Sequence, residues 1–156
     1  MQSGVHFDVN GDFFAERTAW VRGDDGFLVV DRNGNGVIDD VAEMFGGPGE
    51  SGFAELAAYD TNADGVITID DAGFAELAVW RDINSNGLTD VGELKSLSEM
   101  GIASISASGA ALNTTTPQGI NLVARGSFTR TDGTSGNVYE AIFDTDSTDT
   151  VFRGEK

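Results

Sequence analysis

The sequence predicts an α+β domain: β-rich N- and C-terminal segments around a central helix–loop–helix region with EF-hand-like calcium loops. Three observations carry that prediction. The apolar period is two near the chain ends and helical at the centre, a hexapeptide is duplicated at the centre, and an Asp/Asn/Gly loop comes after each copy.

From the N-terminal end, Thr18-Ala19-Trp20-Val21 and Gly26-Phe27-Leu28-Val29-Val30 flank Arg22-Gly23-Asp24-Asp25, a Gly/Asp cluster that suits a hairpin connection. Gly46-Gly47-Pro48-Gly49 then punctuates the chain before the period changes. Phe53, Leu56 and Ala57 fall at i, i+3 and i+4, the apolar stripe of a short helix over 52–59. Phe74, Leu77 and Ala78 repeat it, because Gly52-Phe53-Ala54-Glu55-Leu56-Ala57 recurs letter for letter as Gly73-Phe74-Ala75-Glu76-Leu77-Ala78. A unit of about 21 residues is thus duplicated, and two copies make a pair. A third helix is predicted from Asp90, which can cap while Glu93 reaches back, and it stops before Gly101. Period two then returns, with strands over 102–107, 120–130 and 138–143 and a turn at Thr131-Asp132-Gly133. The Ser/Thr/Gly-rich stretch from Ser106 to Gly119 reads as a surface loop.

A chain of 156 residues, 40% hydrophobic and 22% charged, is one domain, 1–156, with enough apolar residues for a core. It reads as a monomeric module of a larger exported chain. Its 9 Lys+Arg against 26 Asp+Glu leave a net charge of −17, which repels nucleic acid and anionic membrane surfaces. No apolar run reaches the length of a membrane span, so no membrane insertion is expected. Zero Cys excludes disulfides and thiolate sites, and with His6 as the sole histidine zinc is a poor candidate. Hard cations and oxygen ligands remain. No nucleophile elbow, P-loop or dinucleotide fingerprint appears, and His6 falls near the chain end, so the chain reads as no enzyme. Trp20 and Trp80 fall on apolar faces and read as core.

Calcium takes six to eight oxygens, and a twelve-residue loop supplies them from positions 1, 3, 5, 7, 9 and 12 with Gly at 6. Asp82, Asn84, Asn86, Leu88 through its carbonyl, Asp90 and Glu93 satisfy every position around Gly87. Asp60, Asn62, Asp64, Val66, Thr68 and Asp71 do so around Gly65, with the shorter Asp at the close. Asp31, Asn33, Asn35, Val37 and Asp39 fit through position 9, but Ala42 stands at position 12 and Glu43 comes one residue late; the site can still close if Glu43, or a side chain from elsewhere such as Asp24 or Asp25, swings in. Asp8, Asn10 and Asp12 begin a fourth loop in which Phe13 replaces the turn glycine. Each loop alone also reads as a plain turn, since Asp, Asn and Gly favour φ > 0. Clustering decides against that: so many carboxylates together repel unless dications offset them. About four calcium ions would cancel almost half of the net charge and make folding calcium-dependent.

Thr18-Ala19-Trp20-Val21, the run from Asp24 to Asp40, Glu43-Met44-Phe45-Gly46, Val79-Trp80-Arg81-Asp82, Gly92-Glu93-Leu94 and Gly101-Ile102-Ala103-Ser104-Ile105 together resemble a calcium-binding module of very large exported RTX proteins. The similarity runs from about Phe7 to Phe143. It implies either a peptide-binding domain of an RTX adhesin, which grips protein C-termini on target cells, or the related calcium-dependent self-processing module, which cuts an Asp-Pro bond. The only prolines, Pro48 and Pro117, come after Gly47 and Thr116, so this sequence holds no such bond and the binding reading leads. Dockerins share the spacing of Asp60 and Asp82 but lack the flanking β segments. Calcium sensors expose Met-rich grooves, whereas Met1, Met44 and Met100 are scattered. The expected role is extracellular, at the cell surface, binding a peptide or protein C-terminus. A loop without a twelfth-position acid leaves coordination for a ligand carboxylate, which places the pocket near Asp31 and Asp39 or at the Asp8 to Asp12 loop.

Overall fold

The computed structural model describes residues 5–7, 14–18, 20, 25–39, 41–45, 51–116, 120–143 and 145–152. Where apolar residues run consecutively over 27–30 and 77–80, the chain is extended and has no exposed residue. Phe27–Val29 (β3), Ala78–Trp80 (β5) and Leu94–Ser96 (β6) form an antiparallel sheet in the order β3-β5-β6. Phe27 faces Trp80, Leu28 faces Val79 and Val29 faces Ala78, so alternate residues sort onto opposite faces. Val29 and Trp80 enter one core with Val5, Phe7, Trp20 and Ile38, while Val79 enters another with Val30, Phe53, Leu56, Ile67 and Leu77. The small sheet is the wall between the two cores. In the first core the rings of Trp20 and Phe27 lie 4.9 Å apart and those of Trp20 and Trp80 5.7 Å apart, within the range of favourable tilted contacts.

His6–Phe7 (β1), Phe14–Thr18 (β2) and Thr145–Phe152 (β11) form a second sheet in the order β1-β2-β11, joining the two ends of the chain. In the third, Ser135–Phe143 (β10), Ile120–Arg130 (β9), Ile102–Ser106 (β7) and Val66–Ile67 (β4) run in the order β10-β9-β7-β4, and Ala110–Thr115 (β8) also pairs with β9. The β9–β10 turn uses Gly133 at φ 89° and the Asp132 carboxylate, which accepts the Thr134 N–H at 2.9 Å.

The expected central helix–loop–helix region does not form, and the module is β-rich instead of α+β. Among the described residues one short α-helix, Gly52–Leu56 (α1), continues into a 3-10 turn, Ala57–Tyr59. Its start is held by the Ser51 hydroxyl, which accepts the Ala54 N–H at 3.3 Å, and by Glu140 of β10, which accepts the Gly52 N–H at 3.0 Å. The second copy of the hexapeptide makes only a 3-10 turn, Phe74–Glu76, and its last two residues are extended, with Ala78 opening β5. The residues just after each copy account for the difference. Copy one runs on into Ala58-Tyr59 and copy two into Val79-Trp80, whose branched and aromatic side chains fill the slot between β3 and β6. The third predicted helix is absent too: β6 takes 94–96, and a single turn over 97–100 ends at Gly101, φ 71°. Phe27–Val29 pairs with β5, and Ala19 and residues 21–24 of the expected hairpin lie outside the described residues. The predicted 106–119 surface loop contains β8. Strands do stand at 102–106, 120–130 and 135–143.

Candidate functional site

Three loops, 31–43, 60–71 and 82–93, repeat one backbone path. Position 4 has positive φ in each, at Gly34 (69°), Ala63 (59°) and Ser85 (56°), and so does the position-6 glycine, at Gly36 (78°), Gly65 (90°) and Gly87 (73°). Non-glycine residues adopt such φ only where the surroundings enforce it. The enforcing group is the first-position Asp, whose two oxygens accept the N–H groups of positions 5 and 6. Asp31 takes Asn35 at 3.2 Å and Gly36 at 2.7 Å, Asp60 takes Asp64 at 3.2 Å and Gly65 at 2.9 Å, and Asp82 takes Asn86 at 3.2 Å and Gly87 at 2.8 Å. The position-5 side chain in turn accepts the position-7 N–H, of Val37, Val66 or Leu88.

The closing carboxylates obey the same rule. Each accepts the backbone N–H of position 2 with one oxygen and that of position 9 with the other. Asp71 spans Thr61 (2.8 Å) and Thr68 (2.9 Å), and Glu93 spans Ile83 (3.0 Å) and Asp90 (2.9 Å). Glu43 spans Arg32 (3.1 Å) and Asp39 (2.7 Å), so it performs in a thirteen-residue loop what the twelfth residue performs elsewhere. A 3-10 turn, Val41–Glu43, draws it back and leaves Ala42 exposed. The premise that this loop lacks a closing acid is thereby corrected, and with it the reason for placing a ligand carboxylate between Asp31 and Asp39.

Four acids of these loops, Glu43, Asp71, Asp82 and Glu93, are only 4%, 3%, 1% and 5% exposed. Their partners are neutral: backbone N–H groups, the Thr61 hydroxyl on Asp71 and the Trp20 indole on Asp82. Burial pushes the Glu43 carboxyl above its ordinary value, whereas the Thr68 N–H leads the bonds that hold Asp71 below its own. Asn33 and Asn35 converge on Asp39 at 2.9 Å each, and Asn84 and Asn86 converge on Asp90 at 3.0 and 2.8 Å, so the middle of each of these loops is a knot of oxygen-bearing side chains.

The fold ties these loops down differently from what the duplication suggests. Loops 60–71 and 82–93 are not partners; the Ile38 N–H donates to Thr89 Oγ1 at 3.0 Å, joining loop 31–43 to loop 82–93 at position 8 of both. Loop 60–71 is instead pinned through β4, where Val66 and Ile67 pair with Ser106 and Ile105. His6 lies in β1, half-buried, and a Cβ on Gly87 would collide with its carbonyl, so the N-terminal strand seals loop 82–93. Trp20 is core, as its apolar setting predicts, but its indole N–H also reaches Asp82, a contact that nothing in the spacing signals. Asp8, Asn10 and Asp12 lie outside the described residues.

Among the described residues no group of three or more His, Cys, Asp or Glu side chains gathers to hold a metal. The loops owe their donors instead to Asn amides, backbone carbonyls and carboxylates; Asp82 Oδ1 and Asp31 Oδ1, for example, each accept one N–H and keep a second lone pair. An all-oxygen set of this kind fits a hard dication such as calcium and does not fit a soft metal.

A β-rich module with repeated Asp/Asn/Gly loops, each closed by a buried acid, is the class that fold and site define. The chain belongs to the SPM domain family, whose model matches residues 1–144. It is also similar to the iron-regulated protein FrpA of Neisseria meningitidis serogroup C, 36% identical over 159 residues that cover 97% of this chain and 14% of that protein. The chain thus spans about a seventh of the length of this curated relative. Among the described residues no helix is long and apolar enough to cross a membrane.

Proposed function

We propose that this chain is an extracellular, calcium-organised module of a larger RTX protein, and that it binds a peptide or protein C-terminus in cell adhesion. The observation that carries the calcium part is the threefold repetition of one hydrogen-bond pattern around buried acids whose hydrogen-bond donors, in the pattern set out for these loops, are all neutral. Asp31, Asn33, Asn35, Val37, Asp39 and Glu43 would hold one ion, Asp60, Asn62, Asp64, Val66 and Asp71 a second, and Asp82, Asn84, Asn86, Leu88, Asp90 and Glu93 a third. Asp8, Asn10 and Asp12 are the candidates for a fourth. Bound calcium neutralises these carboxylates and cross-links each loop's first residue to its last. Extracellular calcium modules bind at roughly 10⁻⁴–10⁻³ M, so the ion would act as a folding switch outside the cell. Isothermal titration and melting in calcium and in EGTA test this; a melt unchanged by EGTA refutes it.

The peptide-binding part rests on the sequence resemblance and on one surface feature. Beside loop 31–43 lies a depression of about 540 Å³ lined by Arg32, Glu55, Ala58, Tyr59, Thr61 and Glu76, among others. Arg32, whose Nε donates to the Ala42 carbonyl at 2.7 Å, brings the basic group of that lining beside the acids Glu55 and Glu76, and its guanidinium is the group a terminal carboxylate would pair with against their repulsion. Peptides with free and amidated C-termini, screened in calcium against the protein and its Arg32→Gln variant, test it; equal binding of both peptide forms refutes carboxylate capture. Membership of the SPM domain family favours a second reading, calcium-triggered cleavage of an upstream Asp-Pro bond. A chain extended upstream to any native Asp-Pro sequence stays intact on calcium addition under the first reading and releases the upstream piece under the second.

A further inference from the structure

We propose that Trp20 is a positioning residue for the cation of loop 82–93, setting that loop's affinity apart from the other two; this rests on the calcium reading proposed for the loops. Asp82 is the most buried of the loop acids, and its Oδ2 accepts two donors, the Gly87 N–H at 2.8 Å and the Trp20 indole N–H at 2.7 Å. Asp31 and Asp60 accept the corresponding glycine N–H, and both are less buried. Among the described residues the extra donor therefore belongs to one loop. It arrives from a residue distant in sequence, and its direction is fixed independently of Asp82: the Trp20 ring is packed by Phe7, Phe27 and Trp80 at centroid distances of 5.5, 4.9 and 5.7 Å. A neutral donor so held saturates Oδ2 and fixes the carboxylate's rotation, leaving Oδ1, which accepts the Asn86 N–H at 3.2 Å, one lone pair for the dication, without adding a positive charge that would compete with it. Outer donors of this kind typically change metal affinity by about 10–100-fold when removed. The neighbouring Trp80 is the internal control, since its indole nitrogen is buried without a hydrogen-bond partner among the described residues.

The test is a calcium titration monitored by NMR of the Gly36, Gly65 and Gly87 amides, one reporter per loop, in the full chain and in its Trp20→Phe and Trp80→Phe variants. Trp20→Phe keeps a ring in the core and deletes the donor; it is expected to raise the calcium midpoint at Gly87 about tenfold while Gly65 stays in place. Trp80→Phe is expected to lower the melting temperature and leave every midpoint unchanged. An unmoved Gly87 midpoint in Trp20→Phe, or an equal shift in Trp80→Phe, overturns the proposal. Should Trp20→Phe fail to fold, the wild-type indole resonances decide: Trp20 must move in step with Gly87, and a Trp20 signal indifferent to calcium overturns it. If no glycine of the wild type responds to calcium, the calcium reading itself falls and takes this one with it.

Discussion

Glu43 shows how far a single residue's role can be read from spacing. A twelve-residue template finds Ala42 where the acid belongs and leaves Glu43, Asp24 and Asp25 as alternatives for closing the loop; the 3-10 turn over Val41–Glu43 shows Glu43 carried into place. The template recognises Asp60–Asp71 and Asp82–Glu93 because their lengths are regular; an extra residue taken up by backbone curvature is invisible to it. Glu43→Gln is therefore expected to weaken calcium binding at loop 31–43 about tenfold or more, measured by titration, and the double change Ala42→Glu with Glu43→Ala is expected not to restore it. Residue 42 is exposed, so a carboxylate there points into water. The loop glycines allow a second prediction. Alanine at Gly65, φ 90°, meets no atom within 4 Å and suffers only from its backbone conformation, about 1–2 kcal/mol. Alanine at Gly87 carries that same cost and also strikes the His6 carbonyl, so urea denaturation in saturating calcium should find Gly87→Ala the less stable of the two.

Elements are legible in the sequence where they are long and local. Ile120–Arg130 alternates in burial from Ala124 to Thr129 and carries β-branched and aromatic residues between turn clusters, so it is legible as a strand without a distant partner, although Leu122-Val123-Ala124 breaks the alternation at a register shift. Gly73–Ala78 misleads because its six letters, identical to those of Gly52–Ala57, carry a helical stripe; the choice between helix and strand is made by β3 and β6, which lie outside the hexapeptide. The segment 90–100 misleads for a related reason. Glu93 does reach back to the Asp90 N–H, but as a loop-closing acid and not as a capping box. The reciprocal pair stands farther on, where the Ser96 N–H donates to Glu99 and the Glu99 N–H donates to Ser96 Oγ, each at 3.1 Å, around a single turn. The Ser96 N–H is the main cause that holds the Glu99 carboxyl below the usual range. A depressed folded-state pKa contributes stability above the unfolded value of about 4.3 and loses it as pH falls through the folded one. Glu99→Gln should thus melt below the wild type at pH 7, with the gap closing in acid; a gap that persists in acid would assign the effect to lost packing.

For the whole molecule, charge is the property that sequence conveys most fully, since −17 needs no fold to be counted. Its consequence is conditional on calcium. Without the ion, the loop carboxylates repel across distances that salt screens, so the melting temperature in EGTA should rise with added sodium chloride. With calcium bound, the same salt should change little, and a parallel rise in both conditions would show that the loops are not where the repulsion resides. Sheet β1-β2-β11 lies beyond sequence reading because its pairing links opposite ends of the chain, Phe14 with Phe152 and Thr18 with Thr145. That same pairing orders events in time. Each Asp/Asn/Gly loop closes within about a dozen residues, at small entropic cost, whereas joining β2 to β11 brings together segments at opposite ends of the module and closes a far longer span. Calcium should therefore speed the fast refolding phase in which the loops close and leave unaltered the rate of the last one, the sealing of the two termini.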